Sequence, residues 1–105
     1  LSLAIQPAEV VREVEYSLIY DANGGSNPPA TQTYTDTSGA GSHMFTVSGF
    51  SGSNKPQGGG CSYGFYGWST TQDGSVEYKP NETIKLQASN PSRTLYAVWD
   101  GSFCV

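Results

Sequence analysis

The sequence predicts a small, mainly β domain with little or no helix, and three observations carry that expectation. Thirteen Gly and six Pro in 105 residues, with Ser, Thr and Asn filling much of the remainder, supply turns and few strong helix formers. The stretch VEYSLIY alternates with period two, setting Val14, Tyr16, Leu18 and Tyr20 on one side and Glu15, Ser17 and Ile19 on the other. Near the C-terminus, TLYAVW is apolar, β-branched or aromatic almost throughout, the pattern of a strand in the middle of a sheet. At this length the chain suits one domain, because two cores would each be too small.

The elements follow in order. Residues 1–13 read as a lead-in or linker; PAEVVREV also fits a helical turn or two opened by Pro7, and an extended path is the expectation. The first strand ends at YDANGGSNPP, where Asn23, Gly24 and Gly25 tolerate positive φ and the two prolines cannot donate to a ladder. TQTYT offers a second short strand and SHMFTV a third, with Phe45 and Val47 opposite Met44 and Thr46; DTSGAG between them is a loop. From Ser48 to Gly60 the chain has Gly or Pro at almost every third position, and no regular element is expected there. YGFYGWST then brings a run of aromatics, and Asp73 with Gly74 makes a turn. VEYKPNETIKL leads into a strand centred on Ile84 and Leu86, before the closing TLYAVW.

Charge narrows the partners. The net charge is −4 and the five Lys and Arg are scattered, which argues against nucleic acid and anionic membrane surfaces, since both require clustered basic charge. No apolar run approaches the roughly 20 residues of a membrane-spanning helix, so membrane insertion is not expected. With no initiator Met, the chain reads as a piece of something longer. Cys61 and Cys104, an even pair in a chain of exported character, are expected to form a disulfide that ties the C-terminal tail to the segment before the aromatic run.

The aromatics admit two readings. Tyr63, Phe65, Tyr66 and Trp68 fit a sugar-stacking platform, but a domain this small needs its large rings inside. Phe65, Trp68, Trp99, Leu18, Tyr20, Ile84, Leu86, Leu95 and Val98 are therefore expected to fill the core, with Tyr63 and Tyr66 left as candidate ligand contacts. Asp21, Asn23 and Asp73 suggest a calcium site, yet the DxDxDG pattern is absent and Asx-turn hydrogen bonding explains the same residues. His43 has no nucleophile elbow or oxyanion-hole motif around it, and Cys61 as a nucleophile would need His43 nearby. A Lys–Asn isopeptide would need a buried Lys, and the NET at Asn81 reads as a turn entering a strand rather than a glycan acceptor. No catalytic residue, cofactor or metal ligand is assigned.

Taken together, YDANGG, then FYGWSTTQDGSVEYKPNETIKL, then TLYAVW resemble the Listeria–Bacteroides repeat, also described as the internalin B-repeat-like domain of bacterial surface proteins. The resemblance runs from about Glu15 to Trp99. It implies a β-grasp-like module over 14–100: a mixed sheet with a first hairpin, a crossover of little or no helix, and a final pair of strands. The Gly-rich stretch at about 48–60 is then an insertion and 101–105 a tail; neither that stretch nor the two cysteines are typical of the family. The resemblance further implies a non-catalytic, extracellular spacer or adhesion repeat of a bacterial surface or secreted protein, with sister modules beside it and a host or matrix protein or glycan as partner. A carbohydrate- or peptide-binding module using its exposed Tyr residues or its Gly-rich loop is the alternative.

Overall fold

The computed structural model describes residues 13–104, with side chains up to Gly101. All but the last residue of the expected lead-in thus lies outside the described residues, as does Val105. Seven strands form: β1 (Val14–Asp21), β2 (Gln32–Asp36), β3 (Ser42–Thr46), β4 (Pro56–Gly58), β5 (Cys61–Ser69), β6 (Thr83–Gln87) and β7 (Ser92–Cys104). There is no helix among the described residues.

Five strands make a mixed sheet in the order β2-β1-β7-β5-β4, and β3 pairs with β6 in a separate ribbon. β7 occupies the middle, as its apolar run requires. It lies parallel to β1, from Ser17 opposite Ser92 to Asp21 opposite Tyr96, and antiparallel to β5. β1 and β2 form the expected antiparallel first pair. This is the β-grasp-like arrangement, with the β3–β6 ribbon lying where the crossover passes over the sheet.

Alternation in each strand sets the two layers. Tyr16, Leu18 and Tyr20 are buried from β1, while Glu15 and Asp21 are exposed. Ile84 and Leu86 are buried from β6 between exposed Thr83, Lys85 and Gln87. Across the ribbon Ile84 faces Phe45, and both join Val47, Leu86, Trp68, Leu95 and Ala97 in one core between ribbon and sheet. The inward alternation of both strands is what lets a two-stranded ribbon, too small to stand alone, bury a whole face.

Four expectations need correction. Val98 is only half-buried and stays outside the core, because Leu95 and Ala97 take the inward positions of β7 and period two turns Val98 to the other face. The stretch at 48–60 is not featureless: β4 pairs with β5, and Ser26 bridges to Ser53. Its glycines build a turn rather than prevent structure, with Gly58 ending β4, Gly59 and Gly60 between the two strands, and all three at positive φ. Residues 101–104 are not a loose tail but the end of β7, opposite the start of β5. Finally, the last two strands are not partners, since β6 pairs with β3 and β7 with β1 and β5.

Phe65 and Trp99 are partly buried and pack against the core, so the expected rings do face inward. Tyr16, Phe45, Val47 and Ala97 complete it. Phe50, from the Gly-rich stretch, joins Phe65, Trp68 and Trp99 in a four-ring cluster with centroids 5.0–6.0 Å apart, mostly tilted or edge-to-face. That is the preferred geometry for rings carrying opposed quadrupole edges and faces. The Trp68 indole is fully buried, and its Nε1–H donates to the Ser48 carbonyl at 2.8 Å.

Candidate functional site

The YDANGG turn is built around one side chain. Asn23 adopts φ +47°, its backbone N–H donates to Asp21 Oδ1 at 2.7 Å in an Asx turn, and its Nδ2 donates to two carbonyls, Gln72 at 2.8 Å and Ala97 at 2.9 Å. One amide therefore ties together the end of β1, the middle of β7 and the TQDG turn. Asp21 and Asn23, weighed above as cation ligands, are engaged in the turn instead. Gly25 fits because a Cβ there would stand 2.6 Å from both the Trp99 ring and the Ser53 carbonyl. The same ring donates from Nε1 to the Ala22 carbonyl at 2.9 Å, fixing the turn against β7.

The TQDG turn has its own knot. Gly74 N–H donates to the Thr71 carbonyl, and a Cβ at Gly74 would meet Ser69 Oγ and Thr71 Oγ1 at 2.2 Å. Glu77 Oε2 accepts from the Thr70 N–H and Thr70 Oγ1 at 2.7 Å each and from Ser69 Oγ at 3.0 Å. These bonds, the Thr70 N–H foremost, hold the Glu77 carboxyl below its ordinary value.

Between these two turns opens a polar cleft of about 220 Å³, lined among others by Asn23, Lys55, Gln72, Asp73, Val98 and Trp99. The Lys55 stem runs over Gly24, where an added Cβ would come within 2.9 Å of it, and its ammonium sits 5.4 Å from the Tyr63 ring centroid. That is within cation–π reach. The cleft is thus lined by Lys55, Asp73, Gln72 and Asn23, with the Asn23 amide N–H groups already committed to the Gln72 and Ala97 carbonyls. It is suited to hydrogen-bonding a polar ligand.

The other flagged residues scatter. Tyr63 is half-buried beneath Lys55, and Tyr66 is 61% exposed at the register shift between Phe65 and Gly67; neither lines the cleft. His43 stacks on Tyr34 at 3.9 Å and 8° and meets Phe45 edge-on, so its ring serves packing at the rim of the ribbon. Nearby, buried Asp36 accepts from Ser38 Oγ and the Ala40 N–H, and the Ser38 hydroxyl above all lowers its pKa. The Tyr16 hydroxyl is buried with no hydrogen-bond partner, and burial, followed by Asp36, pushes its phenol above the ordinary value. Among the described residues no group of three or more His, Cys, Asp or Glu is placed to share a metal ion. Cys61 stands in register with Cys104 across the β5–β7 pair; the Cys104 side chain lies outside the described residues.

Residues 53–98 match the family model of the Listeria-Bacteroides repeat domain. This stretch is a Listeria-Bacteroides repeat. No curated protein and no solved structure matches the chain. The repeat family is associated with bacterial surface or extracellular proteins. The repeat contributes β4, β5, β6 and most of β7, but β6 finds its partner in β3 and β7 one of its two in β1, so residues before the matched stretch complete both sheets. The cleft spans the same seam. Lys55, Gln72 and Asp73 come from the repeat, Asn23 from the preceding turn and Trp99 from the residue just after it.

The multiple roles of Asn23 and the cleft are not visible from the sequence. YDANGG signals a turn through its glycines, but nothing in it announces that the Asn side chain reaches two carbonyls 49 and 74 residues away.

Proposed function

We propose that the chain is a non-catalytic, extracellular module of a bacterial cell-surface or secreted protein, acting as a spacer that transmits tension between neighbouring modules. One observation carries this reading: the first and last strands, β1 and β7, are adjacent and parallel at the centre of the sheet. Pulling the two ends of the chain apart drags β1 and β7 in opposite directions along their shared ladder. Every hydrogen bond between them is loaded together, whereas an antiparallel terminal pair would open one bond at a time. A disulfide between Cys61 and Cys104 forms part of the proposal, and their cross-strand register supports it.

Single-molecule force measurements test the spacer. With handles at the two ends, the module should unfold in one step at high force. With handles at exposed Ala30, at the same end of the sheet as the exit of β7, and at the C-terminus, it should open at markedly lower force. Equal forces in the two geometries would sink this reading.

The cleft supports a second reading, a carbohydrate- or peptide-binding module, because the polar residues Lys55, Gln72 and Asp73 line it beside the Gly-rich loop that supplies Lys55. Host or matrix glycans and proteins are the partners this reading names. On a glycan array, dose-dependent binding that disappears in Asp73→Ala would favour recognition; no binding by either protein would leave the spacer.

A further inference from the structure

The five-stranded sheet has two outer strands, and they differ. β4 is three residues long, begins with Pro56, carries a register irregularity, and ends at Gly58 before Gly59 and Gly60, all three glycines being at positive φ. Those are the features by which proteins blunt a sheet edge against further pairing. β2 has none of them. It is five residues long, QTYTD, without Pro, Lys, Arg or Gly, and its register with β1 is unbroken from Val14 opposite Asp36 to Leu18 opposite Gln32. Among the described residues β1 is its sole strand partner.

The sequence of β2 is close to a palindrome about Tyr34. We infer that two copies of this chain associate edge to edge through β2, antiparallel and centred on Tyr34, fusing their sheets across a two-fold axis. In that register Thr33 faces the second copy's Thr35 and the reverse, a favourable cross-strand pair repeated twice. Tyr34 faces its own copy. It is 45% exposed and held flat against His43, so its ring is ordered before association. Gln32 faces Asp36, whose buried carboxylate is already held by Ser38 Oγ and the Ala40 N–H within its own chain, so this pair brings no free charge to the seam. No like charges meet anywhere along the pair. A two-fold axis makes the interface self-complementary, so one strand sequence suffices for both sides.

Thr33 and Thr35 are exposed and pair within the chain with Ser17 and Glu15, so substitutions there leave the core untouched. This allows a test specific to the register. Thr33→Lys with Thr35→Lys would set Lys against Lys twice across the axis. Thr33→Glu with Thr35→Lys would set Glu against Lys twice. Both variants share the Thr35→Lys change, and with it the same new charge beside Glu15 within the chain. Sedimentation equilibrium of the full chain, from micromolar to millimolar concentration because a five-residue edge is a small interface, should show a monomer–dimer equilibrium. The Lys/Lys variant should weaken dimerisation by about tenfold or more, while the Glu/Lys variant should dimerise at least as well as the parent. Thermal midpoints of the two variants, matched within a few degrees, establish that both are folded. A parent chain that stays monomeric throughout overturns the inference, as does a dimer indifferent to Lys/Lys or weakened equally by both folded variants.

Discussion

Replacing Trp68 with Ala should lower stability by about 3–5 kcal/mol, the range for truncating a fully buried large aromatic. The indole is completely enclosed, with ring centroids of Tyr20 at 4.8 Å, Phe65 at 5.0 Å and Phe50 at 6.0 Å. Truncation opens a cavity at the meeting point of sheet, ribbon and Gly-rich stretch. It also strips the Ser48 carbonyl of its Nε1–H donor, which in a buried setting adds to the loss. Ser48 holds the next link as well, because its N–H donates to the Tyr20 hydroxyl at 2.9 Å. For a domain of this size each kcal/mol shifts the melting midpoint by roughly 4–8 °C, so the fall should exceed about 12 °C. Trp68→Phe separates the two contributions, since it keeps an aromatic ring and removes the donor. A thermal melt of Trp68→Ala with an unchanged midpoint would mean that the ring does not hold the layers together.

Reducing the proposed Cys61–Cys104 bond should cost about 4 kcal/mol, the chain-entropy value for a loop of roughly 44 residues. The bond would clasp the end of β7 to the start of β5, where the two strands pass a register shift between Ser62 and Gly64. It therefore closes the pair at the end where Gly59 and Gly60, flanking β5, contribute no side chains to packing. Urea melts with and without reductant measure the difference directly, and a Cys61→Ser variant should match the reduced protein. Thiol titration under denaturing, non-reducing conditions gives the decisive count: no reactive thiol supports the bond, while two would remove it.

Much of the fold is legible because alternation decides it. VEYSLIY and TIKLQ each have one apolar face, and each strand buries that face. TLYAVW announces a central strand, but alternation alone leaves open which of its two faces turns inward. The neighbours decide that, since Trp68 stands opposite Ala97 and Gly67 opposite Val98, just past a bulge between Phe65 and Gly67 that no pattern foretells. The Gly-rich stretch departs from expectation for a related reason. Closely spaced glycines ordinarily mark the end of regular structure, yet Gly58 to Gly60 supply the positive φ of a turn between two paired strands. Gly52 is needed where two loops cross, since a Cβ there would lie 2.0 Å from the Ser26 carbonyl. Long-range side-chain bonds are the least legible part. Asn23, Glu77 and Lys55 each look like ordinary loop residues until the fold brings their partners within reach, and the cleft exists only where those loops meet.

The physical claim beneath the spacer is that β1 and β7, as parallel central neighbours, are the last part of the sheet to come apart. Native-state amide hydrogen exchange measures this residue by residue. The amides of Leu18 to Tyr20 and Leu95 to Ala97 that bond across the ladder should exchange only through global unfolding, more slowly than those of β3 and β6. Amides of β1 or β7 exchanging faster than the ribbon, through a local opening well below the global stability, would contradict the account.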